Sequence, residues 1–387
     1  MDPESIHTGE RVPHGGEPDQ QILDFSANTN PNTPAGVSSV YEDALEESRR
    51  YPDDEYSAFR AAAAEFVDCE PDQVIPTPGG LAAIRLAMES ALEPGETAVL
   101  PAPSFGEYAR EVHLQGATPE FVAHDELLAV PAERLETHSL AVVCTPNNPT
   151  GEAADPDALA AFAARCGDSD TTLLVDEAFL GFTTLPSAAT LEAEHVIVAR
   201  SLTKLFGLPG LRAGFAVASG QNRDALETAR RAWSLGTPAA RVGAFCLRQD
   251  EFVRDTRERV ERERERLREH LEGRFDVSPS DAPYLLCAVD DRGGNAERVG
   301  DAEAVSPSDA DDAVEALVES ARAEGVAIRD ATTFRGLDSH VRVAIKDRES
   351  NDRLLEALGC TRGGGEPSSD VADENGSVSS TDGETRE

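Results

Sequence analysis

Lysine is nearly missing from this 387-residue chain: Lys204 and Lys346 are the only two. Positive charge is scarce altogether, with 35 Lys and Arg against 73 Asp and Glu and a formal net charge of −38. That balance argues against nucleic acid as a partner, because a polyanion is gripped by clustered cationic side chains. It also exceeds what one acidic face requires. It fits a protein kept dispersed in concentrated salt, where the Debye length falls to roughly 3 Å at 1 M. Long apolar runs are absent too. No 18-residue apolar stretch offers a membrane span, and the opening Met1-Asp2-Pro3-Glu4 has neither the basic region nor the apolar segment of an export signal. A soluble cytoplasmic protein without membrane contact is expected. The cysteines at 69, 144, 166, 246, 287 and 360 lie too far apart to form a metal clip or redox motif, so reduced, mostly buried thiols and no metal site are expected. No internal repeat is visible.

What is present has the length of two domains. Short apolar runs at 73–77, 97–100, 140–145, 171–175, 196–199 and 214–218 alternate with Ala-rich helical stretches such as 81–92 and 156–165. Runs apolar on both faces read as buried strands of a mainly parallel sheet covered by helices, an α/β architecture whose ligands sit at the strand carboxyl ends. Residues 250–271 alternate Glu and Arg in one long charged helix supported by i,i+4 pairs. A strand at 283–289, a helix at 310–324 and a strand at 341–345 then predict a smaller C-terminal α/β domain, with an acidic loop over 290–309. The expected division is an N-terminal arm at 1–45, a large domain at 46–250 and a small domain at 251–360. An acidic tail at 361–387 is too poor in apolar residues to offset its ordering entropy.

With arginine carrying nearly every cationic role, a retained lysine asks for a chemical reason. Lys204 closes Ser201-Leu202-Thr203-Lys204 directly after an apolar strand, and Arg212 follows eight residues later in Pro209-Gly210-Leu211-Arg212. A desolvated amine beside a cation loses proton affinity and can attack an aldehyde, while Ser201, Thr203 and Arg212 supply donors suited to a phosphate. Upstream, Asp176 ends the strand Leu173-Leu174-Val175. A buried carboxylate there needs a partner, and either a protonated pyridine nitrogen or an arginine would serve. Asn147-Asn148-Pro149-Thr150-Gly151 alone signals only a turn, although an Asn amide there could donate to a ring hydroxyl. Pro78-Gly79-Gly80-Leu81 links a strand to a helix and is either a tight turn or a phosphate-binding helix N-terminus.

In this order, the motifs resemble the fold type I pyridoxal-phosphate enzymes over nearly the whole chain up to Cys360. The resemblance implies pyridoxal 5′-phosphate as cofactor, with Lys204 holding it as a Schiff base, Asp176 pairing with the pyridine nitrogen and Asn148 meeting the ring hydroxyl. Gly80, Leu81, Ser201, Thr203 and Arg212 would hold its phosphate, and Phe105 in Pro103-Ser104-Phe105 would stack on the ring. Tyr51, in Arg50-Tyr51-Pro52-Asp53, matches a tyrosine that reaches the neighbouring subunit's phosphate, which implies a homodimer with shared sites. Two relatives stand out: the histidinol-phosphate aminotransferases and the L-threonine O-3-phosphate decarboxylases of cobalamin synthesis. The opening His14-Gly15-Gly16, Thr29 between Asn28 and Asn30 where the aminotransferases usually carry Glu, and Phe179 where they usually carry Tyr are similar to the decarboxylases. On that resemblance His14, Asn30, Arg329 and Arg342 would contact a phosphorylated amino acid, although either arginine could equally form an ordinary surface ion pair. The implied reaction is decarboxylation to (R)-1-aminopropan-2-yl phosphate. The alternatives are a histidinol-phosphate type aminotransferase and a non-catalytic pyridoxal-binding protein.

Overall fold

The computed structural model of the protein describes residues 1–289 and 307–361. Its larger sheet contains β1 (Val74–Thr77), β2 (Thr97–Ala102), β3 (Thr118–Ala123), β4 (Leu140–Cys144), β5 (Thr172–Asp176), β6 (Val196–Ser201) and β7 (Gly214–Val217), in the order β1-β7-β6-β5-β4-β2-β3. Only β7 is reversed, running antiparallel to β1 and β6. The remaining neighbours pair in parallel. The six strands expected from the apolar runs are all present. Their residues alternate between two cores: Leu173 and Val175 pack into one, Leu174 into the other, all at 0% exposure. Each such burial contributes about 1.5–3 kcal/mol, so a strand apolar on both faces settles only in the sheet's interior. β3 is additional. It lies at the sheet edge with Thr118 and Glu120 exposed, and so lacks the apolar run that marks the others.

The helices Gly80–Ala91 and Pro156–Asp168 match the Ala-rich stretches. The second begins where Asp155 accepts from the Ala158 N–H at 2.9 Å and Pro156 needs no partner for its nitrogen. The charged helix spans Asp250–Leu271, and its buried stripe of Val253, Val260, Leu267 and Leu271 keeps a heptad-like spacing. Beyond it, β8 (Asp276–Val277), β9 (Tyr284–Ala288), β10 (Arg329–Asp330) and β11 (His340–Ala344) form an antiparallel sheet ordered β10-β11-β9-β8. The intervening helix starts at Pro307, so residues 307–309 belong to it rather than to the expected acidic loop. The rest of that loop, 290–306, and the tail from 362 lie outside the described residues.

The first 45 residues are more integrated than an arm. Leu23–Asp24 pairs in parallel with Val326–Ala327, adding a strand to the smaller lobe, and the Ala344 N–H donates to the Phe25 carbonyl at 2.9 Å. The helix Val37–Glu47 crosses the expected boundary at 45 and packs on the helix Thr237–Cys246. Among the described residues no helix is long and apolar enough to cross a membrane. All six cysteines are free, and all but Cys69 are buried.

Candidate active site

The carboxyl ends of β4, β5 and β6 converge on a cleft of about 290 Å³. Asp176 is the last residue of β5, opposite Cys144 of β4 and Ala199 of β6, and is 5% exposed. Its carboxylate accepts from the Tyr108 hydroxyl at 2.5 Å and from the Ala178 N–H at 2.9 Å. Burial pushes its pKa up, and these two donors oppose the rise. Lys204 rides on the one-turn helix Leu202–Leu205 that follows β6. Burial first, and then the positive Arg342 and Arg212, lower its ammonium pKa from 10.5 to about 8. A substantial neutral fraction is therefore present near neutrality, as a nucleophilic amine requires.

A phosphate-sized cradle lies beside the lysine. The helix Gly80–Ala91 points its N-terminus into the cleft, with Gly80 and Leu81 among the lining residues. The Ser201 and Thr203 hydroxyls lie 2.8 Å apart on the same wall. Arg212, held at a left-handed φ of 54°, lies against Gly79, whose own φ is 95°. A Cβ on Gly79 would come within 2.6 Å of the Arg212 guanidinium and push it aside, and a φ of 95° itself favours glycine. The opposite wall is aromatic: Phe105 meets Tyr108 edge-on at 5.6 Å and His14 at 5.9 Å. The His14 Nε2 is 2.9 Å from the buried Glu107 carboxylate.

The smaller lobe closes the cleft with Arg342 on β11. Its guanidinium donates to the Asn148 side-chain oxygen and to the Ser26 carbonyl, the latter at 3.0 Å, and stacks over Tyr284 at 5.2 Å and Phe334 at 5.5 Å. Burial and the nearby Arg329 lower its pKa to about 10, an environment that favours an anionic ligand. The buried Arg342 Nε and Asn28 side-chain oxygen have no hydrogen-bond partner, and both residues line the cleft.

Three residues expected at a site lie outside this cleft's lining, one of them, Tyr51, having been expected at the neighbouring subunit's cofactor rather than at its own. Asn30 is corrected from substrate contact to scaffold: its amide donates to the Leu205 carbonyl at 2.7 Å, its N–H to the Lys204 carbonyl at 3.0 Å, and its oxygen accepts from Arg259 at 2.8 Å. Those bonds consume its polar groups in holding the lysine turn, and Asn28 lines the cleft instead. Arg329 sits next to Arg342 across β10 and β11 but donates to the Pro13 carbonyl and Thr333 hydroxyl, both at 3.0 Å, outside the cleft lining. Tyr51 is 79% exposed and stacks on Trp233 at 4.5 Å, away from its own chain's Lys204. Tyr108, Cys144 and Asn28 were not assigned from sequence. Tyr108 alone had a signal, standing three residues after Phe105, one helical turn along.

The family model for aminotransferase class I and II matches residues 20–358. The chain belongs to that family. The histidinol-phosphate aminotransferase 2 of Archaeoglobus fulgidus is 29% identical over 88% of this chain and 93% of its own. A Caldanaerobacter subterraneus protein, named provisionally as a threonine-phosphate decarboxylase, is 29% identical over 80% of this chain and 82% of its own. The fold type I architecture is shared with the Sinorhizobium meliloti histidinol-phosphate aminotransferase solved with pyridoxal-5′-phosphate, at a TM-score of 0.73 and 19% identity over 92% of this chain and 93% of that one. Members of the aminotransferase class I and II family bind pyridoxal phosphate. The cleft fits that cofactor chemically: a depressed lysine amine for the aldehyde, a helix N-terminus with two hydroxyls and a guanidinium for the phosphate, and a buried carboxylate for the ring nitrogen.

Proposed function

We propose that this protein decarboxylates L-threonine O-3-phosphate to (R)-1-aminopropan-2-yl phosphate, the linker unit made for cobalamin. The observation that carries this reading is Phe179. It lines the cleft three residues beyond Asp176, 5% exposed and edge-on to Tyr284 at 5.1 Å, and so offers no hydroxyl where the aminotransferase-like relatives are expected to carry a tyrosine. The arm adds support by bringing His14 and Gly15 to the cleft.

In this reading Lys204 binds the cofactor's aldehyde carbon, and Asp176 takes the ring nitrogen. Asn148 takes the ring hydroxyl, while Gly80, Leu81, Ser201, Thr203 and Arg212 take the phosphate and Phe105 covers the ring. The bound cofactor supplies an electron sink at the substrate's Cα. The chain's residues choose which bond at Cα breaks. Arg342, pinned by Asn148 and Ser26, holds the substrate carboxylate, and His14 lines the same cleft from the N-terminal segment. A carboxylate held in this way could leave as CO2, its bonding electrons passing to the sink that the cofactor would supply. Lys204, displaced by the substrate amine and carrying the proton that amine gives up, would then return it to Cα as the ammonium. Arg329 acts from behind, adding positive charge beside Arg342.

A homodimer is part of the same proposal. Tyr51 and Trp233 form an exposed stacked pair, and Tyr41 and Leu45 are exposed as well; a second copy that covered the pair would place Tyr51 against the partner's cofactor phosphate. Cytoplasmic location and salt adaptation complete the reading, and both rest on the charge of −38.

The deciding experiment offers L-threonine O-3-phosphate and histidinol phosphate side by side. The proposal expects CO2 and the aminopropanyl phosphate from phosphothreonine without any 2-oxo acid. Consumption of 2-oxoglutarate in step with histidinol phosphate, with no CO2 from phosphothreonine, would replace it with the aminotransferase, the activity that names the Archaeoglobus relative.

A further inference from the structure

Asp176 presents an electrostatic difficulty that the cofactor alone does not solve. It is buried at the end of β5, and burial and the like charge of Glu177 beside it both push its pKa up. A neutral carboxyl cannot act as counter-ion to a protonated ring nitrogen. An arginine partner would keep the group ionised but would also cancel its charge. The group found instead is Tyr108. Its hydroxyl lies 2.5 Å from one Asp176 oxygen, its side chain is 0% exposed, and burial keeps the phenol protonated and therefore a donor. The Ala178 N–H holds the other oxygen at 2.9 Å. Two neutral donors orient the carboxylate and stabilise its charge while leaving that charge uncancelled. A carboxylate has about four acceptor sites, so both oxygens retain capacity for a further donor.

The placement follows from one short segment. Phe105 precedes the helix Glu107–Leu114 and Tyr108 is its second residue, so both rings leave one turn and meet edge-on at 88°. Both line the cleft, and Tyr108 also reaches Asp176. A shift of this segment therefore moves the ring-covering aromatic and the Asp176 donor together.

We propose that Tyr108 is a positioning residue that keeps Asp176 ionised and fixed in direction, so that the bound cofactor's ring nitrogen stays protonated. The inference rests on assigning Asp176 to that nitrogen, and it holds for decarboxylation and transamination alike. The test loads the full-length protein with pyridoxal phosphate labelled with 15N in the ring and reads the nitrogen's chemical shift against pH. Wild type should show a protonated nitrogen across neutral pH. Tyr108→Phe, which removes only the hydroxyl, should lower the pH at which the proton is lost by about one unit or more. Its kcat should drop about ten- to a hundredfold with KM little changed, the range spanned by a hydrogen bond to a charged group. Adding Tyr108→Phe to Asp176→Asn should change the nitrogen signal no further, because the hydroxyl acts through the carboxylate.

A wild-type titration in Tyr108→Phe overturns the proposal. If Asp176→Asn alters the nitrogen signal while Tyr108→Phe does not, only the Tyr108 role fails. If neither alters it, the Asp176 assignment fails first. Should Tyr108→Phe not retain cofactor, Tyr108→His restores an N–H donor on a ring. Recovery of the protonated signal then supports the hydrogen bond, and its continued loss shows that only ring packing mattered.

Discussion

The lysine at the centre of the cleft should be visible in the stability of the apoprotein. Lys204 has its pKa lowered from 10.5 to about 8, so the folded protein binds this proton less tightly than the unfolded chain does. Below pH 8 both states carry the proton, and folding bears the full cost of a buried ammonium. Between pH 8 and 10.5 the unfolded chain holds more protons, so stability rises with pH. At about 1.4 kcal/mol per pH unit, the gain from pH 7 to pH 10 is about 2 kcal/mol, after allowance for the partial exposure of the side chain. Lys204→Met keeps most of the apolar stem and removes the titration. Urea unfolding of both apoproteins at the two pH values, at constant salt, gives four free energies whose double difference isolates this lysine from the other titrating groups. Wild type should gain about 2 kcal/mol more than Lys204→Met over this interval. Equal pH slopes in the two proteins would refute the argument that the cleft desolvates the amine. The same lowered pKa makes cofactor uptake about tenfold faster at pH 9 than at pH 7, since only the neutral amine attacks.

Arg342→Ala should reduce kcat/KM by a factor corresponding to about 2 to 5 kcal/mol, because the substrate carboxylate loses a buried cation; a change below threefold in steady-state assays would place the carboxylate elsewhere. Asn30→Ala should lower the melting temperature, costing about 1–3 kcal/mol by leaving the Leu205 carbonyl and the Arg259 guanidinium short of a partner, and should slow all substrates alike. A selective loss of one substrate would return Asn30 to the substrate's surroundings. Moving the protein from molar salt to dilute buffer should lower its melting temperature and loosen any dimer, since a charge of −38 is then poorly screened; unchanged melting and mass would count against salt adaptation.

The interior strands were legible because burial on both faces demands apolar residues at every position, as in Leu173, Leu174 and Val175. β3 was not, because an edge strand with Thr118 and Glu120 facing water carries no such run. The cofactor-facing residues were readable as motifs because their chemistry sits at strand ends, and the structure gathers Asp176, Lys204, Asn148, Arg212 and Arg342 around one cleft. Asn30 misled for a physical reason. Two asparagines separated by one residue look equivalent in sequence, and only the path of the chain around the lysine turn decides that Asn28 opens to the cleft and Asn30 does not. Tyr108 showed only its spacing from Phe105, because its role depends on Asp176, which lies 68 residues further along the chain.

The pairing of Leu23–Asp24 with Val326–Ala327 has a consequence for the protein's birth as well as its shape. About 300 residues separate the two halves of that ladder, so at roughly 5 to 20 residues per second the first strand waits about 15 to 60 s for its mate to be synthesised. His14, Gly15, Ser26 and Asn28 belong to the same stretch and wait with it. The parallel sheet can assemble around β5 and β6 while the ribosome is still at work, yet its cleft stays open on one side until Val326–Ala327 emerges. Maturation of the pocket is thereby a late event in the polypeptide's history, and a nascent chain stalled before Val326 would carry Lys204 in place with no arm to cover it.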